Sequence, residues 1–156
     1  MAIIAVDFDG TCVVSLPEPG LCEIDTGAEK VIKQLISAGH KIILWTCRNH
    51  SKNNPYNYTN GEFRENEDSL DEAIEWFKKR NIQLYGINKV PDETFIIGDS
   101  RKALYDLLID DTSLGAKLIY GEVEYAALDT GEIKRTQAFS IDWKWVEYEC
   151  KKIGLL

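Results

Sequence analysis

Short apolar runs alternate with helical patterns along the first 120 residues of the chain. The run at residues 2–6 is continuous and rich in branched residues, which is typical of a strand covered on both faces. Further runs that we interpret as strands occupy residues 41–46, 84–87, 104–110 and 117–120. The alternation predicts an α/β fold, a three-layer, doubly wound (Rossmann-like) domain with a mainly parallel sheet of about five strands.

Two helices between these runs are predicted from capping boxes, in which Ser or Thr is followed three residues later by Glu. Thr26 and Glu29 open the first helix, and Gly39 marks its end. Ser69 and Glu72 open the second helix. Apolar residues recur three and four positions apart after each box, as expected of a helix with one buried face.

The pattern changes beyond residue 120. Two segments, 122–128 and 133–139, flank the turn-forming residues 129–132 and predict a hairpin. A helix is predicted after them, with an apolar stripe made of Trp143, Val146, Cys150 and Ile153. We find no internal repeat, and we interpret residues 1–156 as a single domain.

Composition and charge exclude several classes of protein. The 156 residues carry 18 Lys and Arg against 26 Asp and Glu, and the net charge of −8 opposes non-specific binding to nucleic acid. The sequence contains neither a signal-peptide pattern nor an apolar stretch of about 18 residues, so we expect a cytoplasmic protein that does not bind membranes. Four cysteines without C-x-x-C spacing predict reduced, mostly buried thiols.

Candidate chemistry begins directly after the first strand, at Asp7-Phe8-Asp9-Gly10-Thr11. Ligands of open parallel sheets bind beyond the carboxyl ends of strands, where these acids are expected to lie. Two acids separated by one residue point the same way from an extended backbone. One can then serve as a nucleophile and the other as a proton donor and acceptor, while the glycine allows a close turn past a ligand.

This motif resembles the signature of the haloacid dehalogenase-like hydrolase superfamily. The resemblance implies that Asp7 is phosphorylated by the substrate and that Asp9 is the general acid and base. The second motif of that superfamily is a Ser or Thr that ends the next strand, and Thr46 supplies it. Its hydroxyl and nearby backbone N–H groups are expected to hold the transferred phosphoryl oxygens.

The third and fourth motifs of the superfamily, a lysine followed by acids that end the fourth strand, have two placements here. The first takes Lys102 with Asp110 and Asp111, and the second takes Lys89 with Asp99. A parallel crossover needs about a dozen residues, and the connection available in the second placement is shorter. We favour the first placement, in which Asp99 is a helix N-cap.

Carboxylates that converge on one point require a cation, and oxygen ligands favour Mg²⁺. By resemblance, the side chains of Asp7 and Asp111 and the backbone carbonyl of Asp9 ligate the ion. Asp110 is then expected to hold a metal-bound water or to orient the site. The cation and Lys102 together offset the negative charge that otherwise repels a phosphate.

The resemblance covers residues 1 to about 120 and implies a small, cap-less member, because too few residues separate the first two motifs for a cap domain. Substrate contacts are expected from Thr46, Cys47, Arg48 and Lys102, and from the aromatic loop at 49–68. The predicted function is Mg²⁺-dependent hydrolysis of a small phosphorylated metabolite. The alternatives are a nucleotidase or polynucleotide-end phosphatase, and a catalytically silent binding module with the same fold.

Overall fold

The computed structural model describes residues 1–17, 20–22, 24–48, 58–59, 62–63, 69–91, 105–127 and 130–156. In chain order the elements are β1 (Ile3–Val6), β2 (Gly20–Leu21), α1 (Ala28–Ser37), β3 (Lys41–Leu44), β4 (Tyr58–Thr59), β5 (Glu62–Phe63), α2 (Ser69–Lys79), β6 (Gly86–Ile87), β7 (Leu107–Ile109), β8 (Leu118–Ala127), β9 (Ile133–Ile141) and α3 (Trp143–Lys152).

The chain divides into two compact units. The first consists of Met1–Thr46 and Leu84–Leu156, and the second is Cys47–Gln83, which holds the short antiparallel pair β4–β5 and helix α2. The expectation of one domain stays a prediction. No helix in the described part of the chain is long and apolar enough to cross a bilayer.

A parallel sheet with the strand order β6-β3-β1-β7 forms the centre of the first unit, and the described residues contribute these four strands to it. The chain runs outward from β1 to β3 and β6, and it then returns to place β7 on the other side of β1. Such a reversal leaves a crevice at the carboxyl ends of the two strands that flank it. The predicted α/β fold with a mainly parallel sheet is therefore confirmed.

Both faces of this sheet are buried, as the continuous apolar runs predict. Ile4 and Ile42 lie in the core of the first unit, and α1 contacts both β3 and α3. On the opposite face Ala5 and Ile43 pack with Val90. Alternate residues of one strand thus face opposite sides of the sheet and are buried on both, which is why β1 is wholly apolar and β3 is apolar after Lys41.

Helix α1 begins differently from the prediction. Its N-cap is Gly27, at φ 89°, and no side chain caps the helix there. The hydroxyl of Thr26 instead donates to the carbonyl of Cys12 at 2.7 Å. The Thr26 oxygen also accepts the backbone N–H of Ala28 at 3.3 Å. The helix thus begins where predicted, but the predicted capping box is wrong, because the N-cap is Gly27 and Thr26 lies one position before it.

The predicted hairpin is confirmed, and it is longer than expected. Strands β8 and β9 pair in antiparallel register from Leu118↔Ile141 to Ala126↔Ile133, and β2 pairs with the far end of β8. The prediction of 117–120 as a fifth strand of the parallel sheet is wrong, since residues 118–120 pair with β9. Ile119 and Tyr120 are exposed in this ribbon, whereas a central parallel strand would bury both.

The cysteines and the C-terminal stripe match their predictions in part. All four cysteines are thiols, but only Cys12 and Cys150 are buried. Trp143, Val146 and Cys150 are the buried residues of α3, as predicted. Ile153 lies beyond the helix end and is exposed, so it does not belong to the stripe.

Trp143 joins α3 to the loop that follows β1, and we expect its replacement to lower stability. The side chain is 2% exposed, and its Nε1 donates to the carbonyl of Thr11 at 2.8 Å in a buried hydrogen bond. Trp143→Phe leaves that carbonyl unsatisfied and removes buried volume, for an expected loss of about 2 kcal/mol in the free energy of unfolding. Urea denaturation measures it. Tyr148→Phe, at an exposed position of the same helix, is the control, and an equal effect of both variants would contradict the prediction.

Candidate functional site

Three carboxylates meet at the carboxyl ends of β1 and β7. Asp7 follows β1, and Asp110 and Asp111 follow β7, its direct neighbour in the parallel sheet. The backbone N–H of Asp7 donates to the carbonyl of Ile109 at 3.0 Å, which continues the strand pairing up to the acids. Carboxylate oxygens of the three aspartates lie within 4.8 Å of one another. The cluster thus occupies the crevice where the strand order reverses.

Thr11 connects the two sides of this cluster. Its fully buried hydroxyl lies 3.2 Å from Oδ2 of Asp7 and 3.5 Å from Oδ1 of Asp111, so its one proton can be donated to either carboxylate. The same oxygen accepts the backbone N–H of Asp111 at 3.1 Å. Thr11 is therefore a positioning residue, and the sequence analysis gave it no role although it closes the motif.

Gly10 allows the cluster to form close to the backbone. Its φ is +74°, which disfavours any other residue, and a Cβ there would lie 2.7 Å from Oδ2 of Asp111. The same Cβ would lie 3.1 Å from Cε2 of Phe139. The absence of a side chain at Gly10 thus leaves room for the Asp111 carboxylate beside the β1 loop.

Burial and mutual repulsion make the cluster hard to ionise. The pKa of Asp7 is raised to about 7, chiefly by burial and also by the charges of Asp110, Asp111 and Asp9, while a hydrogen bond from the backbone of Phe8 opposes the rise. The pKa of Asp111 is also raised, first by burial and then by the charge of Asp110. Clustered oxygen donors with unneutralised charge are the donor set of a hard divalent cation, so the residues fit a metal ion.

The raised pKa predicts a pH-dependent stability. Because the folded-state pKa of Asp7 is about 7 and its ordinary value is 3.8, folding favours the protonated side chain. This contribution is fully present below the ordinary value and is lost as the pH rises through 7. In a chelator, we expect the melting temperature of the wild type to fall relative to that of Asp7→Asn between about pH 4 and pH 8. A difference between the two proteins that stays constant with pH would contradict this.

Asp9 and Thr46 lie outside the carboxylate cluster. The Asp9 side chain is exposed, and it adds a charge near Asp7. Thr46 follows β3, so it lies at the same edge of the sheet as Asp7, and its backbone N–H donates to Oδ1 of Asn88 at 2.8 Å. Asn88, at φ 52°, also donates its N–H to the carbonyl of Leu44 at 2.8 Å. Asn88 therefore joins the ends of β3 and β6. No sequence pattern predicted this role, because neither the positive φ of Asn88 nor its two hydrogen bonds can be recognised from the sequence.

Cys47 and Arg48, two predicted substrate contacts, belong to the second unit. Cys47 is exposed, and Nη1 of Arg48 forms an ion pair with Oε2 of Glu72 on α2 at 3.1 Å. Lys89 is exposed after β6. Lys102, Asp99 and most of the 49–68 loop lie outside the described residues, so their roles stay predictions.

One solved structure is similar to this chain, that of a conserved protein coded by a locus from Bacteroides thetaiotaomicron. The two chains are 34% identical, with a TM-score of 0.53, and the match covers 73% of this chain and 78% of the other. No protein-family model and no curated protein matches the sequence.

Proposed function

The chain belongs to the same family as the conserved protein of Bacteroides thetaiotaomicron, and we propose that it is a Mg²⁺-dependent phosphomonoester hydrolase of the haloacid dehalogenase-like superfamily. The observation that carries the proposal is the position of Asp7, directly after the central strand β1 and within one cluster with Asp110 and Asp111. A partly buried carboxylate beside a cation site is suited to attack an anionic phosphoryl group.

The proposed reaction has two steps that use the first two acids of the motif. An Asp7 carboxylate oxygen attacks phosphorus and forms an aspartyl-phosphate, while the bond to the leaving oxygen breaks and that oxygen takes a proton from Asp9. Asp9, now a carboxylate, then accepts a proton from water as the water oxygen attacks phosphorus. The bond between phosphorus and the Asp7 oxygen breaks, inorganic phosphate leaves with the water oxygen, and Asp7 is regenerated as a carboxylate while Asp9 is again protonated.

The remaining residues control charge and orientation. Bound Mg²⁺ would supply positive charge for the phosphoryl oxygens, and Asp7, Asp110 and Asp111 are the side chains that would hold it. The hydroxyl of Thr11 holds Asp7 and Asp111 in register. Lys102 is proposed to neutralise further charge on the phosphoryl group.

We propose the cap-less architecture and a small, soluble substrate as parts of the same hypothesis. Between β1 and β3 the described residues form β2, which pairs with β8, and α1, which contacts β3, so both belong to the first unit. The net charge of −8 disfavours a polymer with many phosphates. We propose a cytoplasmic enzyme with a helix layer on each face of the sheet.

A phosphate-release assay tests the function. We expect Mg²⁺-dependent release from small phosphomonoesters, its loss in a chelator, and its recovery when Mg²⁺ is added back. A protein that binds Mg²⁺ yet releases no phosphate from sugar phosphates, nucleotides or phosphorylated oligonucleotides would instead indicate a silent binding module. A polynucleotide-end phosphatase would show a steep dependence on salt. For an oligonucleotide substrate, a plot of log kcat/KM against the logarithm of the salt concentration would have a slope of about −0.7 per neutralised phosphate.

A further inference from the structure

The hairpin formed by β8 and β9 reaches the acid cluster. The N–H of Ile141 donates to the carbonyl of Gly10 at 2.8 Å, and the N–H of Ser15 donates to the carbonyl of Phe139 at 2.7 Å. These two bonds attach one end of the hairpin to the loop that carries the acids. As a result, the Phe139 ring and the Asp111 carboxylate both border the small space next to Gly10.

Tyr120 packs against Phe139 from the neighbouring strand of the hairpin. It is the direct cross-strand partner of Phe139, and the two ring centroids are 5.8 Å apart at an angle of 45°. Phe139 is half-buried, whereas Tyr120 is 69% exposed. Tyr120 is thus an exposed ring packed against a second ring that borders the space beside Asp111, and its own face offers apolar aromatic surface to a ligand.

We propose that Tyr120 and Phe139 bind the flat ring of the substrate's leaving group, so that the site takes phosphomonoesters with an aromatic ring about one sugar away from phosphorus. This inference rests on the proposed function. Aromatic side chains stack on bases and similar rings whatever their hydrogen-bonding pattern. The pair thus adds a specificity determinant to a site whose acids recognise only the phosphoryl group.

The charges beyond the aromatic pair favour a single nucleotide-sized substrate over a polymer. Alternate residues of a strand share a face, so Glu122 and Glu124 follow Tyr120 along the same face of the hairpin. Both are exposed, and Glu124 is paired with Arg135. A second phosphate beyond the stacked ring would approach the negative charge of Glu122, which repels it.

A matched pair of substrates tests the inference. Adenosine 5′-monophosphate and ribose 5-phosphate release the same type of primary ribose oxygen and differ in the base. With Mg²⁺ present, we expect kcat/KM to be at least about tenfold higher for the nucleotide. Tyr120→Leu is expected to bring this ratio close to one, chiefly through KM of the nucleotide, and Tyr120→Phe to retain it. Tyr148→Leu, at a 62% exposed position on α3, is the control and keeps the wild-type ratio.

The outcomes separate this inference from the proposed function. Equal kcat/KM for both substrates, with phosphate released from both, would overturn the aromatic site and leave the hydrolase standing. If neither substrate is hydrolysed, calorimetric measurement of the binding of the same two compounds in the presence of Mg²⁺ tests the aromatic site. Tighter binding of the nucleotide by about tenfold, lost in Tyr120→Leu, supports the aromatic site without the hydrolase, and equal or absent binding overturns it.

Discussion

Asp7→Asn is expected to lower kcat/KM for phosphate release by more than about a thousandfold while the protein stays folded. An amide cannot form the acyl phosphate, and the substitution also removes one of the three clustered carboxylates proposed to hold the cation. The fold is expected to tolerate the change because burial already disfavours the charged form of this side chain, whose pKa is about 7. Steady-state kinetics beside a thermal melt at the same pH measure both effects.

The matched control for this variant is Asp25→Asn. Asp25 is exposed and accepts the N–H of Gly27 at 2.8 Å, a bond that an amide oxygen can also accept. We expect it to retain wild-type kcat/KM. Turnover of Asp7→Asn within about tenfold of the wild type would show that Asp7 is not the nucleophile.

Asp111→Asn is expected to weaken Mg²⁺ binding by at least about a hundredfold and to abolish activity at ordinary Mg²⁺ concentrations. Its carboxylate lies in the cluster with Asp7, and an amide offers the cation a weaker, neutral donor. Calorimetric titration with Mg²⁺ measures the binding, and high Mg²⁺ should recover part of the activity.

The same titration on Asp99→Ala decides between the two placements of the third and fourth motifs. Under the favoured placement Asp99 caps a helix, so its loss costs about 1 kcal/mol of stability and leaves Mg²⁺ binding intact. Lys102→Ala should then lower activity strongly, and Lys89→Ala should not. Loss of Mg²⁺ binding in Asp99→Ala, with retention in Asp111→Asn, would establish the second placement.

The central strands and the position of the acids were predictable from the sequence because they depend on simple rules. The run at 2–6 is wholly apolar, and the run at 41–46 is apolar from Ile42 to Trp45, which identifies parallel strands buried on both faces. The acids follow the run at 2–6 and end the run at 104–110, and they must meet at one edge of the sheet if those two strands are parallel neighbours. The structure places β1 and β7 side by side, and Asp7 and Asp111 fall into one cluster.

The errors share a physical origin in contacts between residues distant in the chain. Thr26 has the sequence of a helix cap, but Gly27 is the N-cap, and the Thr26 hydroxyl donates to a carbonyl 14 positions away. Thr11 holds two carboxylates, and one of them lies 100 residues further along the chain. The apolar segment 117–120 predicts a core strand, whereas Tyr120 packs its ring against Phe139 on an exposed ribbon. The pattern of apolar and polar residues within a segment carries no information about contacts with residues far away in the sequence.

The strand order has a consequence for folding. Strand β1 pairs with β3 on one side, about 40 residues away, and with β7 on the other side, about 100 residues away, so the second pairing closes a much longer loop. The acid cluster exists only after that long closure, and a high separation between contacting residues slows folding. The proposed divalent cation, which would recognise the completed cluster, would therefore act on the folded protein after its slow step. It would prolong the lifetime of the native state by slowing unfolding and would leave the folding rate unchanged.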